Sequence, residues 1–305
     1  MHHQVAFYDA ADGFLESALP YLQAGLEASE PILVALGPAK TALVRAALGA
    51  DAASVDFADV EVFGRNPARL LPAWQDFVDR HPPGRPLRGL GEPIWPGRST
   101  AAVDECERHE ALLNVGLAPE PPPRLSLLCF YDRTALDEDM LEAASRSHPH
   151  TYSAGTTAPN PEWDDHSPEP FAGNLSRVPF DARRLEFDRE TLNALRAAVG
   201  VEAAEAGLPD DRAADFVLAA SEIAANSVIH GGGTGSAAIW REPAALLLEV
   251  CDEGRIADPL AGRVRPSPLR ERGRGLWVAN QLCDLLQVRS GPSGTRARLR
   301  MDLAV

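Results

Sequence analysis

The first half of the chain alternates between short apolar runs and longer segments in which apolar residues recur every three or four positions. The run 31–36 is nearly continuous, as in a strand that is buried on both faces. The pattern predicts an α/β domain over residues 1–150, with a mostly parallel sheet and flanking helices. The predicted strands are 5–8, 31–36, 60–62, 87–91 and 125–130, and the predicted helices are 11–28, 38–48, 67–80, 101–116 and 136–147.

Composition changes after residue 150. The following stretch is rich in proline and in acidic residues, which is typical of a linker, and we predict one over 151–184. The apolar pattern then resumes and predicts an α+β domain over 185–305. Its predicted elements are strands at 185–187 and 246–251, helices at 192–206, at about 214–230 and from 273 to about 286, and a closing β segment at 287–303.

Length, cysteine use and charge narrow the class of protein. A chain of 305 residues can hold two domains, and it contains no apolar run long enough to span a membrane. The first residues lack the features of a signal peptide, and the four cysteines form no CxxC pair, so we expect free core thiols in a cytoplasmic protein. The formal charge of −15 argues against general nucleic-acid binding.

Glu222 and Asn226 carry the first candidate chemistry. They lie four residues apart in a helical run, so they share one face of the predicted helix. A carboxamide oxygen can bind a metal ion, and a carboxylate can polarise a water or hydroxyl. Such a pair on an exposed helix is usually only solvated, so its weight depends on the motifs that follow.

Those motifs come in a distinctive order. A predicted strand ends at Asp252-Glu253-Gly254, a predicted helix opens at Gly273-Arg274-Gly275, and Gly294-Thr295 lies in the closing β segment. The free N–H groups and the dipole at a helix start favour phosphate. Taken together with Glu222 and Asn226, residues 185–305 resemble the ATP-binding fold shared by gyrase, histidine kinases and MutL, and in particular its RsbW-like branch of anti-sigma serine kinases.

The resemblance implies ATP and Mg²⁺ as ligands and a role for each residue of these motifs. Asn226 would hold Mg²⁺ and Glu222 would be the general base. Asp252 would bind the adenine amino group, Gly254 would allow close approach to the base, and Thr295 would offer a hydroxyl near it. Gly273 and Gly275 would cradle the phosphates. From the residues alone, Arg272 and Arg274 either add positive charge there or are simply solvated. One departure is Ile256, which replaces the second glycine of the usual Asp-x-Gly-x-Gly.

The first half also resembles a known family. Its pieces 7–9, 91–95, 107–114 and 129–132 are similar to the MEDS sensory domain of bacterial regulators. A small-molecule ligand is then expected at the carboxyl ends of the parallel strands. The candidates to line this site are Tyr8, Glu92, Trp95, His109, Glu110, Tyr131 and His148.

Structural interpretations of these candidates remain open. His109 and Glu110 have the pattern of a surface pair, and the tyrosines are equally consistent with packing. His148-Pro149-His150 is either a metal-binding tract or, as we favour, the end of a loop.

With both resemblances, the chain as a whole is similar to RsbA-type regulators, which pair a MEDS domain with an RsbW-like ATPase. These resemblances imply a cytoplasmic anti-sigma regulator of transcription, as in a stress response, that acts on a sigma factor or an antagonist protein. The same resemblances allow serine/threonine kinase activity and a homodimer. Two alternatives stay open. A two-component histidine kinase would need a helical hairpin around His150 or His166, and a non-catalytic docking module would need no phosphotransfer.

Overall fold

The computed structural model describes residues 1–117, 124–164, 169–266 and 273–303. The chain divides into two compact units, residues 1–168 and residues 169–305. No helix in the described part of the chain combines the length and the apolar character that crossing a membrane requires. All four cysteines are free thiols, and three of them are buried.

The first unit is built on a seven-stranded sheet in the order β3-β2-β4-β5-β1-β6-β7, flanked by helices. Neighbouring strands are parallel except for the last pair. The strands are β1 His2–Tyr8, β2 Ile32–Leu36, β3 Val55–Asp59, β4 Leu87–Gly91, β5 Leu125–Asp132, β6 His150–Ser153 and β7 Thr156–Pro159. The helices are α1 Ala10–Glu27, α2 Pro38–Leu48, α3 Val60–Phe63, α4 Leu70–Asp79, α5 Thr100–Gly116 and α6 Glu138–Ser147. The mostly parallel α/β sheet predicted for this half is confirmed.

The predicted strand at 60–62 is wrong. The strand is β3, which ends at Asp59, and residues 60–63 form the single helical turn α3. The Asp59 side chain accepts a hydrogen bond from the Glu61 N–H at 2.9 Å, which caps the turn. The alternation Val60-Glu61-Val62 resembles a strand, but it is Asp59 that decides the local conformation.

The segment predicted as a linker, 151–184, takes part in both units. Its first residues form the hairpin β6–β7, and β6 pairs in parallel with β1. Ala154 and Gly155 at the hairpin turn both have positive φ, at 48° and 78°, as tight two-residue turns require. Further along, Phe171 is buried in the core of the second unit and its carbonyl accepts from the Ser290 N–H at 3.0 Å.

The second unit is an antiparallel five-stranded sheet in the order β11-β12-β10-β9-β8, with helices against one face. This confirms the α+β class. Leu246, Leu248 and Val250 alternate along β10 and face the helices, where they form the core. The strands are β8 Arg183–Asp188, β9 Thr234–Glu242, β10 Ala245–Asp252, β11 Leu285–Gly291 and β12 Gly294–Asp302. The helices are α7 Leu192–Glu205, α8 Asp210–His230 and α9 Gly275–Leu282.

The opposite face of this sheet carries a buried ion pair. Arg298 on β12 donates from Nη2 to Glu249 Oε2 on β10 at 2.6 Å, and both residues are buried. The same Arg298 nitrogen donates to the Ser176 carbonyl at 2.6 Å. Arg298 therefore fastens residues near 176 to the outer face of the sheet.

We expect Arg298→Ala to destabilise the second unit by about 3 kcal/mol, because it leaves the Glu249 carboxylate buried without its partner. Arg300, two residues along the same strand, pairs with the half-exposed Glu242. Arg300→Ala is the matched control and should cost less than about 1 kcal/mol. Native-state hydrogen exchange of the β10 and β12 amides in the full chain measures both; an equal loss of protection in the two variants would contradict this account.

Candidate functional site

Helix α8 positions the first candidate residues of the site. Asp210 and Asp211 in its first turn complement the helix dipole, while Ile223 and Ser227 point into the core. Glu222 and Asn226 remain half-buried at the border of that core, one turn apart. The structure thus confirms that the two side chains share one face of a helix.

The end of β10 brings Asp252 against the end of α8. Asp252 Oδ2 accepts from the Ser227 hydroxyl at 2.6 Å, and Oδ1 accepts from the Gly254 N–H at 2.7 Å. A Cβ atom on Gly231 would lie only 2.4 Å from Asp252 Cγ, so this contact requires glycine. Each carboxylate oxygen keeps a lone pair, and Asp252 can still accept from an external amino group.

Gly254 and Thr295 complete this part of the site. A Cβ on Gly254 would lie 2.8 Å from the His230 carbonyl oxygen, so no larger residue fits. Thr295 lies opposite Asp252 in the β10–β12 register, and its hydroxyl donates to the Gly254 carbonyl at 2.8 Å. The Thr295 hydroxyl therefore fixes the backbone of Gly254, which the sequence alone did not indicate.

The start of α9 lies against Asn226. A Cβ on Gly275, the first residue of α9, would be 2.6 Å from Asn226 Nδ2. Gly273 is exposed and has a φ of +88°, a conformation that favours glycine. The first N–H groups of α9 are thereby presented beside the Asn226 amide. Arg274 is exposed at the helix start, and Arg272 lies outside the described residues.

The structure shows why isoleucine fits at position 256, where the usual Asp-x-Gly-x-Gly motif has its second glycine. The Ile256 N–H donates to the Ser290 hydroxyl at 2.9 Å, and its side chain packs on the hydrophobic core of the unit. The backbone after Gly254 is thus anchored to β11. Further along this loop, Gly262 accepts from the Asn280 side chain on α9 at 2.9 Å.

Three residues of this site were missed at the level of sequence: Ser227, Gly231 and Asn280. Ser227 follows Asn226 directly and is 1% exposed. A hydroxyl on the buried face of an apolar helix needs a partner, and that requirement was the available signal. The close approach of Gly231 to Asp252 is a tertiary contact, so the local sequence pattern does not predict it.

In the first unit, Tyr8 and Glu92 meet at the carboxyl ends of β1 and β4. The Tyr8 hydroxyl donates to Glu92 Oε1 at 2.8 Å, and Lys40 from the first turn of α2 binds the same oxygen. Burial raises the pKa of the Glu92 carboxyl, and the charge of Lys40 opposes that rise. Trp95 is half-buried, with the Arg98 guanidinium 3.9 Å from its ring centroid.

His109, Glu110 and Tyr131 all lie in the interior of the first unit, and the surface-pair interpretation of His109 and Glu110 is wrong. Both are buried in α5, at 0% and 2% exposure. Glu110 faces His148, whose ring centroid lies 5.8 Å from that of the fully buried Tyr131. His148 lies in the short connection between α6 and β6, as the loop-end interpretation predicted, but its side chain is fully buried. The polar character of α5 suggested exposure, but His109 and Glu110 point into the interior of the unit.

Burial and close contact shift the pKa values of His3, Glu110 and Cys129. Burial, together with the neighbouring His148, lowers the pKa of His3 to about 4. Burial opposes ionisation of Glu110, but its interactions with His148 and His3 outweigh that and hold the pKa of Glu110 well below its usual range. Burial and the Glu110 charge raise the pKa of the Cys129 thiol.

Each of the two units matches a known family. Residues 2–149 match the family described as MEDS, the methanogen/methylotroph DcmR sensory domain, and residues 185–301 match the histidine kinase-like ATPase domain. The chain joins a MEDS domain to a histidine kinase-like ATPase domain. We refer to the first and second units by these names.

Among solved structures, the chain is similar to the RsbU and RsbW domains of Rv1364c from Mycobacterium tuberculosis. The identity is 24% and the TM-score 0.31, over 41% of this chain. The match spans 33% of that chain, about a third of its length. A search of curated proteins finds no match.

The ATPase family implies ATP binding, usually with Mg²⁺, and the residues of the ATPase domain fit both ligands. Asp252 keeps acceptor capacity beside the bare backbone of Gly254. Asn226 offers an amide oxygen where Gly275 opens α9. Mg²⁺ prefers oxygen ligands, and one protein oxygen with phosphate oxygens and waters satisfies it.

We expect Gly275→Ala to weaken binding of Mg²⁺ with a non-hydrolysable ATP analogue about tenfold or more, because the new Cβ displaces the Asn226 amide. Gly291→Ala is the matched control: a Cβ there meets nothing within 4 Å. Titration calorimetry on the full chain measures both affinities. Unchanged affinity in Gly275→Ala would show that the contact between Asn226 and α9 has no part in binding.

Proposed function

We propose that this protein is a signalling regulator of the anti-sigma type. Its ATPase domain would transfer a phosphoryl group from ATP to a serine or threonine of an antagonist protein, and its MEDS domain would set that activity in response to a small molecule. The observation that carries the proposal is the contact of Asn226 with the start of α9, next to the Asp252 end of β10.

Each group in the site has a separate task. Asp252 accepts from the adenine amino group, while Ser227 and Gly254 hold its carboxylate in place. The N–H groups of Gly275 and its successors donate to phosphate oxygens. Asn226 supplies an oxygen ligand for Mg²⁺, which when bound neutralises phosphate charge.

Glu222 is suited to act on the incoming hydroxyl. It precedes Asn226 by one turn of α8 and is half-buried. A carboxylate at that position can orient the serine or threonine hydroxyl and accept its proton as the phosphoryl group is transferred.

The surface around Glu222 supports a protein substrate. Leu218, Glu222, Ala225 and Ile229 recur at helical spacing along one stripe of α8. Leu218 and Ile229 are large apolar side chains, yet they are 39% and 58% exposed. An apolar stripe on both sides of the proposed base is a suitable docking surface for a partner helix or loop.

The histidine-kinase alternative has less support. His150 begins strand β6 of the MEDS domain sheet rather than lying in a helical hairpin, and His166 lies outside the described residues. The docking-module alternative uses the same surface without phosphotransfer. Cytoplasmic location and self-association remain predictions.

The test is phosphotransfer by the full chain to a partner that co-purifies with it and is identified by mass. With γ-labelled ATP, we expect label on a serine or threonine of the partner. Glu222→Gln should slow transfer about 100-fold or more while ATP still binds. Asn226→Ala should lose Mg²⁺-dependent binding as well. Asp215→Asn changes a half-buried carboxylate two turns earlier on α8 and should leave the rate unchanged.

The other outcomes separate the alternatives. Label on a histidine of the chain itself, unaffected by Glu222→Gln, would support a histidine kinase. Stable partner binding without transfer, unchanged by nucleotide, would support docking alone. Equal slowing by Asp215→Asn and Glu222→Gln would remove the assigned role of Glu222.

A further inference from the structure

Four side chains of the MEDS domain place metal-binding atoms together in its interior. His3 comes from β1, Glu110 from α5 and Cys129 from β5, while His148 directly follows α6. One donor atom from each lies within 4.8 Å of all the others. The four residues are at most 2% exposed. The sequence gives little sign of this group, because its members lie up to 145 positions apart.

The separations are close to those that a metal ion imposes. Glu110 Oε2 lies 3.2 Å from His3 Nε2 and 3.1 Å from His148 Nε2. Cys129 Sγ lies 3.4 Å from His3 Nε2. Zinc–ligand bonds of about 2.0–2.3 Å in a tetrahedron put neighbouring ligand atoms about 3.3–3.7 Å apart. A central ion would require only small movements of these atoms.

The far side of each imidazole ring fixes its tautomer. The Asn114 amide nitrogen donates to the Ser147 carbonyl at 2.8 Å, so Asn114 Oδ1 is the acceptor that faces His3 Nδ1 at 3.1 Å. His148 Nδ1 lies 2.7 Å from the Ala144 carbonyl, which can only accept. Both rings therefore carry hydrogen on Nδ1 and turn Nε2 toward Glu110. Metal-bound histidines show the same outer hydrogen bonds.

Two of the four inward-facing atoms lack hydrogen-bond partners among the described residues. Glu110 Oε2 and His148 Nε2 are buried without a hydrogen-bond partner in the described part of the chain. While both rings are neutral, their Nε2 lone pairs and the Glu110 carboxylate oxygen repel each other at about 3 Å, and buried acceptors without donors are costly. A cation at the centre of the group turns that repulsion into coordination.

We propose that His3, Glu110, Cys129 and His148 form a tetrahedral Zn²⁺ site inside the MEDS domain. Two imidazoles, one carboxylate and one thiolate are donors that suit zinc. Cys129 binds as the thiolate and releases its proton to solvent as the ion enters. Protein atoms fill all four positions, which is typical of structural rather than catalytic zinc. The ion would tie β1, β5, α5 and the end of α6 together.

The test measures zinc in the full chain, produced without a polyhistidine tag, equilibrated with Zn²⁺ and then freed of loosely held metal. Elemental mass spectrometry should find about one zinc per chain. His3→Gln, His148→Gln and Cys129→Ser should each lose most of it. His2→Gln and His150→Gln are matched controls one or two residues away: His2 is exposed, His150 is half-buried, and both should retain the metal.

Cobalt substitution in the unaltered chain gives a readout that does not depend on how the variants fold. Tetrahedral Co²⁺ with a thiolate ligand should show strong visible bands and a near-ultraviolet sulfur-to-metal charge-transfer band, and Zn²⁺ should displace it. The proposal is overturned if the chain binds no zinc, if site variants and controls hold equal zinc, or if the cobalt spectrum is octahedral without the sulfur band. In the first case the group is a shared-proton network.

Discussion

The ATPase domain depends on the way Asp252 is held where α8 and β10 end beside each other. Its two carboxylate oxygens accept from Ser227 of α8 and from its own Gly254, and the Gly231 backbone packs against it without a side chain. The Glu253 N–H also donates to the Gly231 carbonyl at 3.2 Å. These bonds fix the distance between the end of α8 and the end of β10, and the site lies between them.

The remaining parts of the site follow from that junction. Thr295 lies opposite Asp252 on β12, and its hydroxyl donates to the Gly254 carbonyl. The pairing of β12 with β10 therefore places Thr295 beside the junction. Asn226 precedes Ser227 by one residue, so its side chain points to a different side of α8, where α9 begins. Asn226 therefore lies against the start of α9, and Asp252 lies close by at the end of β10. No single sequence motif contains all of these residues.

Local sequence was sufficient where one element carries the information. The spacing of Glu222 and Asn226 predicted their shared helix face, and the apolar run 246–251 predicted a strand that leads to Asp252. Prediction from local sequence failed where contacts with distant elements determine the conformation or burial of a segment. Pro-rich composition hid the β6–β7 hairpin, whose turn depends on Ala154 and Gly155. The polar residues of α5 suggested a solvent-exposed face. The residues that Glu110 contacts, on β1 and after α6, are distant in the sequence, so the local pattern could not show its burial.

The central claim is that Asp252 reads the adenine amino group, and nucleotide discrimination tests it most directly. Titration of the full chain with Mg²⁺ and either ATP or ITP compares an amino donor with a carbonyl acceptor at the same ring position. The account predicts that ATP binds at least about tenfold more tightly, since ITP would set an acceptor against the carboxylate. It also predicts that Asp252→Asn narrows the difference, because its side chain can donate to the carbonyl. Equal affinity for ATP and ITP in the unaltered chain would contradict it.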